Sequence, residues 1–253
     1  MSFERMEFSP ANDPGPEKPA EKIQSTREYA ASSVIEDEIA QTKVVFEKEI
    51  TADTKICLIG DGQGADTRKF IEMGVAPGSI TSVNYELSEV EQANSGVLAD
   101  TGVEMRQANV VDFDSLMGVG IGEASQDVIV LMHVLEVPDI RGEAERNLVQ
   151  NISRVLREGG EALVTQYRRK LTPEEAELFG VEEIAAESLR SRFGEDWQEA
   201  FRQQYGQNWH EGMRYSEISN IRSKGELMQL FEDGFEIRIE ESGDEFILRL
   251  KKK

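Results

Sequence analysis

KICLIGDGQGADTRKF, running from Lys55 to Phe70, is the stretch on which the fold turns. Lys55–Gly60 is a short apolar run ending in glycine, which reads as a strand. Thr67–Met73 suits a helix, closed by Gly74 and then by Pro77-Gly78. Between them lies Gly60-Asp61-Gly62-Gln63-Gly64. Glycines at such a bend permit a tight turn and let backbone N–H groups approach a ligand at the positive end of a helix dipole. That ligand would carry a phosphate or a carboxylate. No Gly-Lys-Ser/Thr follows, so a Walker A loop is excluded. Gly60, Gly62 and Ala65 also satisfy G-x-G-x-x-A, a dinucleotide fingerprint.

Outward from this turn, strand and helix alternate. Ile80–Tyr85 is a second strand, and Ser88 to about Asp100 a helix. Val103–Gln107 is a third strand. Asp127–Met132, apolar almost throughout, fits a fourth strand buried on both faces. Arg146–Leu156 reads as a helix stopped by Gly159-Gly160, and Ala162–Tyr167 as a fifth strand. Such units with helical crossovers predict a mainly parallel sheet with helices on both faces. Phe235–Glu240 and Glu245–Leu250, joined by Ser242-Gly243-Asp244, predict an antiparallel hairpin.

The flanks differ from this core. Residues 1–24 hold four of the seven prolines and predict a mobile tail. Ser25–Glu49, free of Gly and Pro, predicts a helix. From there a single domain extends over 25–253, with a helical cap inserted at about 170–224 that carries Trp197, Tyr205, Trp209, His210 and Tyr215. Those aromatics either line an apolar pocket or anchor the cap to the core.

Composition narrows the partners. Asp and Glu number 49 against 28 Lys and Arg, a formal net charge of -21, which repels phosphate backbones and anionic membranes. No apolar run is long enough to cross a bilayer, and the first 22 residues lack the apolar core of a signal peptide. With one cysteine, Cys57, an intramolecular disulfide and a cysteine-cluster metal site are excluded. The expected location is the cytoplasm.

The ordered series of motifs resembles the class I S-adenosylmethionine-dependent methyltransferases. KICLIGDGQGADTRKF is similar to the family's first motif, and SVNYELSEVEQA to the polar end of strand two. RQANVVDFD follows strand three. SQDVIVLMHVLEVPD is similar to strand four and its exit, and SRVLREGGEALVT to the approach to strand five. ELMQLFEDGFEIRIEESGDEFILRL resembles the family's last helix and its closing strands six and seven. The resemblance therefore implies a Rossmann-like α/β fold with seven strands, mainly parallel, and an antiparallel last strand. Two positions depart from the pattern: Leu58 stands where the family has an acidic residue two before the first glycine, and Asn84 where it has the acid closing strand two.

The same resemblance implies the site. Gly60, Asp61, Gly62, Gln63 and Gly64 would line the methionine part of the cofactor; Asp61 either faces its ammonium or is a solvated turn residue. Asn84, Tyr85 and Glu86 would meet the ribose, with Glu86 the expected carboxylate. Asn109, Val110 and Asp112 would lie near the adenine, although an N-cap serves Asp112 equally well. Met132 and His133 leave strand four where ligands gather in open α/β sheets. His133 is a candidate general base, with a binding or packing role favoured. His210 is a candidate substrate contact or catalytic group, and Tyr29 either closes over the cofactor or packs its helix. No metal is expected. The implied function is methyl transfer from S-adenosylmethionine to a small-molecule acceptor by in-line displacement. A non-catalytic binder of S-adenosylmethionine or S-adenosylhomocysteine, a protein methyltransferase and a nicotinamide oxidoreductase are the alternatives. Association of two copies is compatible with the sequence.

Overall fold

A computed structural model of the chain describes residues 49–62, 64–137, 140–169, 220–242 and 245–253, with Arg190, Asp196 and Glu199 besides. The expected tail, the 25–49 helix with Tyr29, nearly all of the cap with its aromatics, His210 and Gln63 lie outside the described residues.

Seven strands form one sheet. They are β1 (Ile56–Ile59), β2 (Ile80–Asn84), β3 (Met105–Gln107), β4 (Gln126–Met132), β5 (Leu156–Tyr167), β6 (Phe235–Ser242) and β7 (Glu245–Lys252). Their spatial order is β3-β2-β1-β4-β5-β7-β6. The first five pair in parallel, and β7 runs antiparallel between β5 and β6. The order reverses at β1/β4, the switch point outside which open α/β sheets bind ligands.

Helices α1 (Ala65–Glu72), α2 (Leu87–Ser95), α3 (Phe113–Gly118), α4 (Glu143–Val155) and α5 (Lys224–Phe231) pack on this sheet. Alternation along β1 separates two apolar layers. Cys57 and Ile59 join Ile129, Leu131 and Val164 beneath Leu148 and Ile152 of α4 and Phe231 of α5. Ile56 and Leu58 join Val128, Val130 and Leu163 beneath Phe70 of α1. Leu58 is 1% exposed; a carboxylate at this position would be buried among hydrocarbons, at several kcal/mol if unpaired. No helix among the described residues is long and apolar enough to cross a membrane.

Two local expectations are corrected. Gly159-Gly160 does not stop α4. That helix runs from Glu143 to Val155, and Leu156 is already extended, with φ −67° and ψ 138°. The glycines instead make a bulge: the β4–β5 register jumps from Gln126↔Leu156 to Val128↔Glu161. Gly159 takes φ +68°, and a Cβ on Gly160 would stand 3.1 Å from the Asp127 carbonyl, so each glycine meets a local demand. The second concerns α3, absent from the sequence reading. Asp112 caps it by accepting the Asp114 amide at 3.0 Å.

Candidate functional site

The turn after β1 and the exit of β4 meet at the switch point. Gly60, Gly62 and Gly64 all lie in the left-handed region, with φ of +75°, +54° and +91°. Their reasons differ. A Cβ on Gly60 would stand 2.7 Å from Val134 Cγ2, just past β4, and one on Gly64 would strike the Leu98 side chain at 2.6 Å. At Gly62, no described atom lies within 4 Å of where a Cβ would be. Gly60 and Gly64 thus let protein approach protein, whereas a side chain at Gly62, at the crest of the turn, would meet none of the described residues.

Several backbone donors around this turn are spent inside the protein. The Gly60 amide donates to the Val83 carbonyl at 3.0 Å, and the Gly64 amide to the Asp61 carbonyl at 2.9 Å. Asp61 is buried, and its carboxylate accepts from the Asp66 amide (2.9 Å), the Thr67 amide (3.1 Å), the Thr67 hydroxyl (2.5 Å) and the Ser82 hydroxyl (3.2 Å). The solvated-turn expectation for Asp61 is thereby revised. It is not a solvated turn residue, and the partners of its carboxylate are the first turn of α1 and strand β2. The expectation of bare amides at this bend is revised with it: Asp61 already complements the amides that a helix N-terminus would offer an anion. Burial pushes the Asp61 carboxyl up to about 6 against the pull of its hydrogen bonds. Asp66, which is hydrogen-bonded to it, is raised well above the usual range by burial and by the Asp61 charge.

Asn84, 6% exposed, closes β2 beside the turn. Its Nδ2 donates to Glu89 Oε2 at 2.6 Å and to the Gly62 carbonyl at 3.4 Å, while its Oδ1 accepts the Glu86 amide at 3.2 Å. Glu86 is the residue that leads into α2, and the Tyr85 carbonyl accepts from Gln107 Nε2 at 3.0 Å. Glu89, in the first turn of α2, went unnoticed in the sequence. The visible signal was its spacing, five residues after Asn84, which returns a helical side chain toward the strand end.

After β3, Asn109 Oδ1 accepts the Val111 amide at 3.2 Å. The Val110 side chain sits in the core, and its carbonyl accepts from Asn151 Nδ2 at 2.8 Å. The capping alternative for Asp112 is the one the structure displays.

At the exit of β4, Met132 is buried, and its sulfur accepts from the Thr165 hydroxyl at 3.7 Å. His133 takes φ +57°, and its half-buried ring is held at both nitrogens and on one face. Its Nδ1 lies 2.7 Å from Glu136 Oε1, its Nε2 lies 3.4 Å from Glu245 Oε1, and its ring stacks on Tyr167 with centroids 4.5 Å apart. Burial alone would lower the imidazole pKa, but the two carboxylates outweigh it and push it up to about 10. Both ring nitrogens face carboxylates, which favours the protonated ring and, with the Tyr167 stacking, gives His133 a pairing and packing environment.

The loop carrying Glu136 is pinned by Arg222, which no sequence signal marked. Its guanidinium donates to the carbonyls of Leu135 (2.6 Å) and Ile140 (2.8 Å) and pairs with Glu145. The Asn220 amide donates to the Glu136 carbonyl at 2.9 Å. Among the described residues, no group of His, Cys, Asp or Glu is arranged to hold a metal ion. Cys57 is buried, which pushes its thiol up to about 12 and leaves it unreactive.

No protein-family model matches the sequence, and no curated protein matches it. Solved structures do match. A protein from Pyrococcus horikoshii OT3 superposes with a TM-score of 0.60 at 11% identity, over 91% of this chain and 93% of that one. An S-adenosylmethionine-dependent methyltransferase from Aquifex aeolicus does so with a TM-score of 0.56 at 11% identity, over 94% and 100% of the two chains. Another, from Methanosarcina mazei, gives 0.50 at 17% identity, over 80% and 94%. Sheet order, the lone antiparallel strand and these superpositions agree: the chain has the fold of the class I S-adenosylmethionine-dependent methyltransferases.

Proposed function

We propose that the chain binds S-adenosylmethionine across the turn after β1 and transfers its methyl group to a small-molecule acceptor at the carboxyl ends of β4 and β5. The observation that carries this reading is the Asp61 carboxylate seated on the first turn of α1. A pyrophosphate needs those amides and is repelled by that charge, which disfavours the nicotinamide alternative. A ligand bearing a sulfonium and an ammonium suits an anionic floor. Gly62 leaves room for it, and Asn84 holds the Gly62 carbonyl in place.

When bound, the sulfonium supplies an activated methyl group, so the protein's contribution is orientation and a fitted cavity. His133, locked between Glu136 and Glu245, fixes the exit of β4 against Tyr167 at the end of β5. A proton lost by the acceptor would leave by a route other than this imidazole. Leu58 and Asn84, which stand where the resemblance expects acids, favour a second reading, a binder without turnover.

Calorimetric titration with S-adenosylhomocysteine tests the proposal. Saturable binding that NADH does not displace is expected. Absence of heat at sub-millimolar protein, or displacement by NADH, would overturn it. Turnover of a panel of acceptors separates the enzyme from the silent binder.

A further inference from the structure

We propose that Glu245, the first residue of β7, anchors a protonated amine on the acceptor through its second carboxylate oxygen, the one not paired with His133. This rests on the methyl-transfer reading above and names the chemical class of the acceptor. The amine is the anchor; the atom that takes the methyl group is another on the same molecule.

Strand register puts Glu245 in place. Strand β7 runs antiparallel to β5, so its first residue lies at the carboxyl end of β5, opposite Tyr167. Ligands of open α/β sheets gather outside such ends. Ile247, two residues further on, packs in the apolar layer beneath α1, and alternation sends Glu245 to the same face. There His133, leaving β4, meets both strands: its ring stacks on Tyr167, and its Nε2 lies 3.4 Å from Glu245 Oε1. Three strand ends thus converge on one carboxylate.

That carboxylate is half used. Glu245 is 9% exposed, and its Oε2 is shut off from solvent with no hydrogen-bond partner among the described residues. A charged oxygen left buried and unpaired is costly, and folded chains satisfy nearly all such atoms. Other buried atoms in this condition belong to amide and guanidinium groups, and Glu245 Oε2 is the carboxylate oxygen among them. An ionised carboxylate only accepts, so what completes it is a donor.

Local charge selects the donor. Glu136 Oε1 lies 2.7 Å from His133 Nδ1, so two carboxylates flank one imidazole. Whether the ring is protonated or neutral, the three side chains together stay negative. Asp66, which also faces His133, adds no positive charge. Arg168, just past β5, pairs with Glu241 at 2.7 Å. An anionic acceptor is therefore repelled, a hydroxyl brings a donor without charge, and a protonated amine brings both. The His133 side chain is 29% exposed and that of Glu245 12%, so the pair is approached from solvent past the imidazole.

The test uses the full chain saturated with S-adenosylhomocysteine and three probes on one skeleton: butylamine, butanol and butyrate. The readout is the His133 ring signal in NMR, identified by its loss in His133→Gln. Butylamine should shift this signal saturably and bind about tenfold more tightly than butanol, and butyrate should leave it in place. Glu245→Gln, its melting temperature recorded alongside, should lose about tenfold in butylamine affinity. Glu240→Gln, at an exposed position of the same hairpin, should stay within about twofold of wild type. In wild type alone, no response to butylamine, or an equal response to butanol, overturns the proposal. Butylamine affinity untouched by Glu245→Gln also overturns it and leaves Oε2 to a trapped water. Displacement of S-adenosylhomocysteine by butylamine overturns it too and gives the oxygen to the ammonium of the cofactor. In each of these cases cofactor binding stands. Failure of S-adenosylhomocysteine itself to bind overturns the proposed function, and this assignment goes with it.

Discussion

His133 and Asp61 both hold protons more tightly in the folded chain than outside it. For His133 the shift is from about 6.5 up to about 10, because Glu136 and Glu245 outweigh burial. A group raised in this way contributes its full stabilisation below the unfolded value and loses it as pH climbs through the folded one. Stability owed to His133 is therefore present at pH 6 and drains away between 6.5 and 10. Asp61, raised to about 6 chiefly by burial, has the same sign over a lower window, from 3.8 to about 6. His133→Gln removes the first contribution. In urea denaturation across pH, the variant should be least stable relative to wild type near pH 6 and approach it near pH 10. A gap that stayed constant would show that folding leaves the imidazole pKa unchanged. Sequence made the residue type visible but not the charge state, since Glu245 reaches the ring from a strand 112 positions further along the chain.

Elements differ in how openly the sequence declares them. The hydrophobic run of β4 and the glycine punctuation around β1 sufficed to place those strands, because buried parallel strands read as unbroken apolar stretches. Helix α5 announces itself by a capping box: Ser223 Oγ accepts the Glu226 amide, and Glu226 reaches back to the Ser223 amide at 2.7 Å. Gly159-Gly160 misled because glycine pairs serve bulges and helix ends alike, and only the β4 register distinguishes the two. Arg222 was illegible for a related reason. Its partners are backbone carbonyls and Glu145, and a carbonyl leaves no trace in side-chain pattern. Energetics rank these two neighbours. Arg222→Met strips several buried acceptors of a charged donor and should cost about 3 kcal/mol. Ser223→Ala removes one exposed cap and should cost about 1 kcal/mol. Chemical denaturation of both variants checks the order, and a larger loss at Ser223 would mean that the Arg222 contacts are idle.

At the scale of the whole molecule, the formal charge of -21 sets a field that no single contact explains. S-adenosylmethionine carries one more positive charge than S-adenosylhomocysteine, so the acidic surface and the Asp61 floor should favour it most at low ionic strength. The Debye length falls from about 30 Å at 0.01 M salt to about 8 Å at 0.15 M, which screens the distant charges. The ratio of the two affinities should therefore narrow over that range, as competition titrations would measure. A ratio indifferent to salt would confine the preference to short-range contacts. The connectivity of the sheet bears on how the molecule is made. Strand β7 lies between β5 and β6, so β6 has no place to pair until residues 245–252 have been synthesised. Until then, the edge of β5 at Ala162–Val164 stands unpaired, and Phe246, Leu248 and Leu250 have yet to cover their side of the core. On the ribosome, the nascent chain must wait with an open, sticky flank and close like a zip whose slider arrives last.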